Sequence, residues 1–288
     1  MVRNKNTLVF DSNALCYRSL YTMGDLSNNN IATGIIFGFL NQVFKYCKLY
    51  KTTDAVFCWD SKESLRRLLY FADYKSGRAK KRKEASKEEK KNMAIAFNQF
   101  DKLREEVIYD LGFRNIFHKR GYESDDLVAM VPRSIAGNFI IFSNDGDLLQ
   151  LIDDNVSYYN LGKNKVLDKK GFIKEYKIQS ELYAEVKAIT GCSTDEVPGI
   201  RGIGEKKAIA YILGKGTEKD KEKINASMDI IIRNRKLVTL PLENIKLKFS
   251  PNKFTANKFI DVFHKYNFKS FLEAKYFDKL KELFCNGV

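Results

Sequence analysis

Three short segments of the chain are continuously apolar and rich in residues that favour β-structure. They cover residues 8–10, 55–59 and 139–142, and an aspartate follows each of them directly or shortly afterwards. Apolar runs of this length are typical of strands buried on both faces of a parallel sheet. The pattern therefore predicts three central strands with acidic residues at their carboxyl ends.

Between these strands, apolar positions recur with helical spacing over residues 35–50 and 94–111. Strands that alternate with helices predict an α/β fold with a mostly parallel sheet. Ligands of such sheets bind at the carboxyl ends of the strands. We therefore expect Asp11, Asp60 and Asp145 to converge at one edge.

The strand pattern fades after about residue 180. A glycine-rich turn at 199–204 precedes a helical pattern, and aromatic residues at helical spacing follow over 254–284, where they are expected to pack a core. This change predicts an α/β domain over 1–180 and a helical subdomain over 181–288, whose last helices pack back on the first domain.

The chain has 50 Lys and Arg residues against 36 Asp and Glu residues, a formal net charge of +14. Such an excess points to a polyanionic partner or to solubility. Residues 75–91 carry nine basic and three acidic side chains. This basic segment is interpreted either as a solvated helix face or linker, or as a lobe that contacts nucleic acid.

Composition excludes several other classes of protein. No apolar stretch approaches the roughly 18 residues of a membrane span, and residues 1–7 show no apolar signal-peptide core. The five cysteines include no CxxC pair, so a disulfide framework or a Cys-rich zinc site is not expected, and a reducing cytoplasm fits best. Only His118 and His264 are available, which leaves little room for histidine-based catalysis.

Carboxylates are the chemistry that remains. Three lie at the predicted start of a helix, where N-capping accounts for one or two of them. Together with the strand-end residues they form a set of eight: Asp11, Asp60, Glu123, Asp125, Asp126, Asp145, Asp147 and Asp195. Gathered without cations, they would repel one another, so the pattern predicts bound Mg²⁺ or Mn²⁺. Two such ions about 4 Å apart hydrolyse phosphodiesters, which indicates a nuclease.

The glycine turn supports a second contact with a polyanion. Gly199, Gly202 and Gly204 allow the backbone to approach a phosphate, and Lys206 and Lys207 follow at the start of a helix. A turn with a purely structural role is the alternative. A dinucleotide site is disfavoured, because the turn does not follow a strand.

Taken together and in this order, these segments resemble the flap endonuclease and 5′→3′ exonuclease family. The resemblance rests on a strand ending at Asp11, a helix start at 33–39, Trp59-Asp60, residues 67–78 with Tyr74-Lys75, residues 121–126, residues 143–147 and the glycine turn after Asp195. Residues 263–272 resemble the end of the same nuclease domain. The resemblance implies a PIN-like or resolvase-like fold with a basic helical arch near 75–100. It also implies that residues 181–288 are a DNA-binding subdomain with a helix–turn–helix DNA clamp.

The resemblance also implies roles for individual residues. Asp11, Asp60, Glu123 and Asp125 would serve the first metal directly or through water, and Asp126, Asp145, Asp147 and Asp195 would surround the second. Lys75 and Arg78 would face the scissile phosphate, Tyr74 would stack on a base, and the clamp would hold K⁺. The implied DNA-binding set is Arg67, Tyr74, Lys80, Lys81, Arg82, Lys83, Gly199, Gly202, Gly204, Lys206 and Lys207.

One position departs from the family pattern. Where phage and bacterial members usually have Gly-Asp-x-x-Asp-Asn, this chain has Cys192 in place of the first aspartate. A thiol is a poor Mg²⁺ ligand, so we expect a weaker, more Mn²⁺-favouring or water-mediated second site with activity retained.

We therefore predict a monomeric, structure-specific 5′ nuclease that acts on DNA flaps, nicks and 5′ ends, and on RNA primers in RNA/DNA hybrids, alongside replication proteins. A branched-DNA-binding protein without catalysis is one alternative. A PIN-type endoribonuclease is another, although it leaves the glycine turn unexplained. A helix–turn–helix transcription factor is disfavoured, because no helix after Gly204 carries base-reading side chains.

Overall fold

A computed structural model of the chain describes residues 6–24, 26–28 and 31–285, with only the backbone described at 67 and 78–81. Its centre is a six-stranded sheet in the order β5-β4-β1-β6-β7-β8, parallel except for the β7–β8 pair. The strands are β1 (Asn6–Asp11), β2 (Ser27–Asn28), β3 (Ile31–Ala32), β4 (Ala55–Trp59), β5 (Ile116–His118), β6 (Asn138–Ser143), β7 (Val156–Asn160), β8 (Lys165–Leu167), β9 (Gly191–Cys192) and β10 (Val197–Pro198). The three predicted central strands are confirmed as β1, β4 and β6.

Fifteen α-helices surround this sheet in the described part of the chain. They are α1 (Ser12–Met23), α2 (Gly34–Tyr50), α3 (Leu65–Leu69), α4 (Ser76–Glu84), α5 (Lys87–Lys102), α6 (Ile108–Leu111), α7 (Ser124–Ser134), α8 (Lys169–Tyr176), α9 (Tyr183–Thr190), α10 (Glu205–Ile212), α11 (Glu218–Asn225), α12 (Met228–Val238), α13 (Ala256–Lys265), α14 (Lys269–Leu272) and α15 (Ala274–Phe284). The predicted helix over 94–111 is present, but a π-helical stretch over Leu103–Val107 joins α5 to α6.

Alternation along the central strands creates two cores, one on each face of the sheet. In β1, Leu8 and Phe10 belong to the core that includes α2 and the C-terminal helices, whereas Val9 belongs to the core that includes α7, α9 and α12. Successive side chains of a strand point to opposite faces, so a continuously apolar strand serves both cores.

The aromatic residues near the C-terminus belong to the first core. Phe259, Phe263 and Phe284 contact the ring of Phe44 on α2 at centroid distances of 5.8–6.0 Å. The prediction that this segment packs a core is therefore confirmed. None of the described helices is both long enough and apolar enough to cross a bilayer.

Candidate active site

Asp11 lies at the carboxyl end of β1 and caps α1. Its Oδ1 accepts hydrogen bonds from Ala14 N and Ser124 Oγ, each at 3.2 Å, and its Oδ2 accepts one from Ser143 Oγ at 2.6 Å. The residue is only 6% exposed. Burial and the neighbouring carboxylate of Asp60 raise the pKa of Asp11 to about 7. Its negative charge is thus poorly compensated by the protein.

An open cavity of about 270 Å³ lies in front of Asp11. Burial and the charges of Asp145 and Asp11 raise the pKa of Asp125 well above its ordinary value. The lining residues are Asp11, Ala14, Tyr17, Asp60, Lys75, Ser124, Asp125, Ser143, Asn144 and Asp145. Four carboxylates that repel one another across a small cavity are the oxygen donor set that suits a hard divalent cation. We call Asp11, Asp60, Asp125 and Asp145 the acidic cluster.

Main-chain and amide groups fix the outer members of the acidic cluster. Asp60 Oδ1 accepts a hydrogen bond from Ser124 N at 2.8 Å, and Asp60 N donates to Asn13 Oδ1 at 3.0 Å. Asp145 Oδ1 accepts from Asp147 N at 2.8 Å in the turn that follows β6. These bonds leave other carboxylate oxygens directed at the cavity. The predicted convergence of strand-end aspartates is confirmed.

Lys75 supplies the cationic side of the same cavity. Its Nζ lies 2.6 Å from Glu123 Oε2 and 3.8 Å from Asp195 Oδ2, and its backbone N donates to Asp195 O at 2.9 Å. Burial lowers the pKa of Lys75, but Glu123, Tyr74, Asp195 and Asp60 together outweigh burial and raise the pKa well above its ordinary value. The left-handed backbone of Lys75, at a φ of 55°, helps to hold this position.

A second acidic group lies beyond Asp145. One ligand atom each of Asp147, Cys192 and Asp195 lie within 4.8 Å of one another, so that they could hold a metal ion. Lys187 Nζ approaches Asp147 Oδ1 to 2.7 Å. Burial and Asp145 raise the pKa of Asp147 to about 6, although Lys187 lowers it in part. Asp145, which was predicted to surround the second metal, lines the cavity of the acidic cluster.

Asp126 corrects the predicted ligand set. Both of its oxygens are bound by the guanidinium of Arg66, Oδ2 to Nη1 at 2.5 Å and Oδ1 to Nη2 at 2.7 Å, and Oδ1 also accepts from Leu242 N at 2.7 Å. The pair is buried, with Asp126 fully inaccessible. A carboxylate whose charge and lone pairs are already satisfied has none to offer a metal. The prediction that Asp126 serves the second metal is therefore wrong.

Tyr74 and Glu123 also differ from expectation. Tyr74 is 4% exposed and its hydroxyl donates to Glu123 Oε2 at 3.0 Å, so the predicted stacking of Tyr74 on a base is wrong. Glu123 does not line the cavity; it binds Lys75 and caps α7 reciprocally with Asp126. Burial raises the pKa of Glu123, but Lys75, Arg66 and a hydrogen bond with Ser64 together outweigh burial and lower the pKa overall. Glu123 therefore positions Lys75.

The basic segment of residues 75–91 forms α4 and the start of α5. Arg82 and Lys83 are exposed on it, and Ser86 caps α5 in a reciprocal capping box with Glu89. The predicted roles of four side chains lie outside the described residues: Arg67, Arg78, Lys80 and Lys81.

The glycine turn lies between α9 and α10, which contact each other. A Cβ on Gly199 would lie 1.9 Å from Thr190 O, so glycine is required here by the close approach of two backbone segments. This requirement agrees with the alternative of a purely structural turn. Gly202 has a φ of 78°, which favours glycine. Gly204 precedes α10 with open space around it, beside the exposed Lys206 and Lys207.

The sequence interpretation missed several residues of the site. Ser124 lies in the segment 121–126 and Ser143 in the segment 143–147. Their positions at a helix start and a strand end could have identified them as hydrogen-bond partners of Asp11. Arg66 and Lys187 carried no such signal, since each reaches its aspartate only through the tertiary fold, across 60 residues for Arg66.

Comparison with known proteins supports these observations. Residues 6–177 match the family model described as the N-terminal resolvase-like domain of 5′-3′ exonucleases. A 5′-3′ exonuclease of Bacillus subtilis is 30% identical over 222 residues, which is 73% of this chain and 71% of that protein. DNA polymerase I of Caldicellulosiruptor bescii is 25% identical over 92% of this chain, which spans only 33% of the polymerase.

A bacteriophage T5 flap endonuclease, solved as a pseudo-enzyme–product complex with DNA and metal ions, has the same fold. Its TM-score is 0.70 at 22% identity, over 82% of this chain and 89% of that one. The predicted PIN-like or resolvase-like α/β fold is confirmed. The predicted family and its enzyme class are confirmed as well, and the chain belongs to the 5′-3′ exonuclease family.

Proposed function

We propose that this chain is a divalent-metal-dependent 5′ nuclease that hydrolyses phosphodiester bonds of DNA at 5′ ends, nicks and 5′ flaps. Its membership of the 5′-3′ exonuclease family supports the reaction. The acidic cluster is the observation that carries the proposal. Its four carboxylates repel one another in one cavity, the pKa values of Asp11 and Asp125 are raised, and the chain around them has a net charge of +14. A cavity of this charge requires cations, and the basic exterior attracts a polyanion.

Two divalent ions fit the donor atoms, with Mg²⁺ or Mn²⁺ at the site that has only oxygen donors. Asp11, Asp60, Asp125 and Asp145 would hold one of them, and Asp147, Cys192 and Asp195 would hold the other. Bound there, the ions would activate water and stabilise the leaving oxygen of a phosphodiester.

The protein groups have their own tasks. Lys75 presents a partly buried ammonium to the cavity, where it would bind a non-bridging oxygen of the scissile phosphate. Glu123 and Tyr74 hold Lys75 in place from behind. Ser124 and Ser143 keep the carboxylate of Asp11 oriented. Arg78 would add a second cation from the start of α4.

Two surfaces would bind the nucleic acid outside the cavity. Helices α4 and α5 are proposed to form the basic arch over the 5′ strand, with Arg67, Lys80, Lys81, Arg82 and Lys83 at the phosphates. The turn at 199–204 is proposed to grip the duplex through Gly202, Gly204, Lys206 and Lys207, with K⁺ on its backbone carbonyls. The proposed domain boundary at about residue 180 would place the arch in the α/β domain and the glycine turn in the helical subdomain. The proposed enzyme would act as a monomer. It would also cleave RNA/DNA hybrids and work alongside replication proteins.

Product mapping on a 5′-labelled flap tests the proposal, with Mg²⁺, Mn²⁺ and chelator compared side by side. We expect metal-dependent products, either mononucleotides or short oligomers, and their loss on chelation. Asp145→Asn should lower the rate by about 100-fold or more, as removal of one preorganised charged group does. Flap binding with no product in either metal would reject the nuclease and favour a branched-DNA-binding protein.

A further inference from the structure

The second acidic group differs from the acidic cluster in one donor. Its three ligand atoms are two carboxylate oxygens and the sulfur of Cys192, and all lie within 4.8 Å of one another. They come from two segments: Asp147 lies in the 3₁₀ turn after β6, and Cys192 and Asp195 lie in β9 and the 3₁₀ turn that directly follows it. Because the backbone converges these segments from different parts of the chain, the grouping is a product of the fold rather than of sequence proximity alone.

The distances fit a small ion bound by all three residues. Ligands of a tetrahedral Zn²⁺ lie about 2.0–2.3 Å from the ion, and therefore about 3.3–3.7 Å from one another. A bound ion would draw the three ligand atoms together from separations of up to 4.8 Å by side-chain rotation. Three protein ligands leave a fourth position for water, as in open zinc sites.

Thiolate sulfur changes which ion this group prefers. Mg²⁺ takes oxygen ligands in an octahedron and gains little from sulfur, whereas Zn²⁺ and Co²⁺ bind thiolates well. Thr194 Oγ1 lies 3.0 Å from Cys192 Sγ, where its hydroxyl can donate to a thiolate. Binding replaces the S–H bond with a metal–sulfur bond, and the proton passes to bulk water.

We propose that Asp147, Cys192 and Asp195 form a mixed thiolate–carboxylate site that selects Zn²⁺-class ions over Mg²⁺. The acidic cluster, which has only oxygen donors, keeps the opposite preference. The proposal depends on the nuclease function only for its catalytic consequence, a second ion of a different kind from the first. Binding of the ion itself is independent of any substrate.

Lys187 is the internal competitor for this site. Its ammonium lies 2.7 Å from Asp147 Oδ1 and neutralises that carboxylate in the metal-free protein. An arriving cation must displace it. Lys187→Met should therefore tighten Co²⁺ binding at the site, whereas Cys192→Ser should weaken it.

The test is a Co²⁺ titration of the metal-free, full-length chain without nucleic acid. We expect one thiolate-to-Co²⁺ charge-transfer band per chain, displaced by Zn²⁺ and not by Mg²⁺. Cys192→Ser should abolish the band and weaken Zn²⁺ binding by about 10-fold or more. Cys285→Ser, which removes the other partly exposed thiol, should leave the band unchanged.

Cys192→Asp completes the set, because it should shift the preference of the site from Zn²⁺ towards Mg²⁺. Circular dichroism confirms that each variant folds. Absence of the band in the wild-type chain, or its persistence in Cys192→Ser, would overturn the proposal. A chain that cleaves flaps but shows no band loses only this inference, and one that shows the band but cleaves nothing loses only the proposed function.

Discussion

Asp125 and Asp126 are neighbours at the start of α7, yet the structure treats their charges in opposite ways. Asp125 lines the cavity, where burial and other carboxylates raise its pKa well above the ordinary value. Asp126 points into the protein and forms a bidentate pair with Arg66. One charge is left to be neutralised by a ligand, and the other is neutralised by the protein.

The comparison shows what separates a functional carboxylate from a structural one. Arg66 also donates to the carbonyl oxygens of Leu237 and Thr239, so its pair with Asp126 ties α3 and α7 to the chain after α12. Inside a protein, a charge with a full set of partners holds structure together, whereas one without them costs stability and is available for binding. The predictions below test this separation.

The largest effect is expected at Asp125. Asp125→Asn should lower metal-dependent cleavage of a 5′ flap by about 100-fold or more, because the acidic cluster loses a ligand. Its stability in the absence of metal should be unchanged or higher, since one repelling charge is gone. Single-turnover rates and urea unfolding measure the two quantities. A variant that cleaves at the wild-type rate would remove Asp125 from the site.

Asp126→Asn is the matched change next door, with the opposite outcome. It leaves Arg66 buried without its counter-ion and should cost about 3–5 kcal/mol of unfolding free energy. Any loss of cleavage should follow the fraction unfolded. If the variant is stable but inactive, Asp126 has a direct role that its contacts with Arg66 do not explain.

Lys75 tests the cationic side of the cavity. Lys75→Ala should lower the cleavage rate by about 100-fold while changing duplex affinity far less, because the ammonium faces the reacting phosphate and not the outer binding surfaces. Rates under saturating enzyme and binding in the presence of Ca²⁺ separate the two. Equal losses in both would make Lys75 only a phosphate-positioning residue.

The pH dependence of metal-free stability is a smaller effect. The folded pKa of Asp11, about 7, lies above its ordinary 3.8, so its contribution to stability is present below about pH 4 and is lost as pH rises towards 7. Glu123 has a lowered pKa and acts in the opposite sense, losing its contribution on acidification. Mg²⁺ should therefore raise the melting temperature more at pH 8 than at pH 5. Asp11→Asn should make the Mg²⁺-induced rise in melting temperature more similar at the two pH values. An equal rise at pH 5 and pH 8 in the wild-type chain would contradict the raised pKa of Asp11.

The smallest effect is expected at the glycine turn. Lys206→Ala should weaken duplex binding modestly and reduce the slope of log affinity against log salt by about one, as loss of one phosphate contact does. Lys207 is paired with Asp220 at 2.9 Å, so Lys207→Ala should change the slope less. Binding isotherms at several salt concentrations measure both slopes, and a larger change for Lys207 would reverse their roles.

Much of the fold followed from local pattern. The apolar runs at β1, β4 and β6 identified the centre of the sheet, because strands buried on both faces leave no polar positions. The acidic residues behind those strands identified the edge where a site would form. Capping of α7 by one or two of its three carboxylates was also a local prediction, and Glu123 is the residue at the N-cap. The π-helical stretch after α5 was not, since its apolar positions resemble those of an ordinary helix.

The sequence by itself determined that carboxylates would gather at one sheet edge in a basic chain, because parallel strands bring their carboxyl ends together wherever the helices lie. Only the tertiary structure decided which carboxylates remain uncompensated. Arg66 reaches Asp126, Lys187 reaches Asp147 and Tyr74 turns inward to Glu123 through contacts between distant segments. Electrostatic compensation depends on distances of a few ångströms across the packed fold, and no spacing along the chain specifies them.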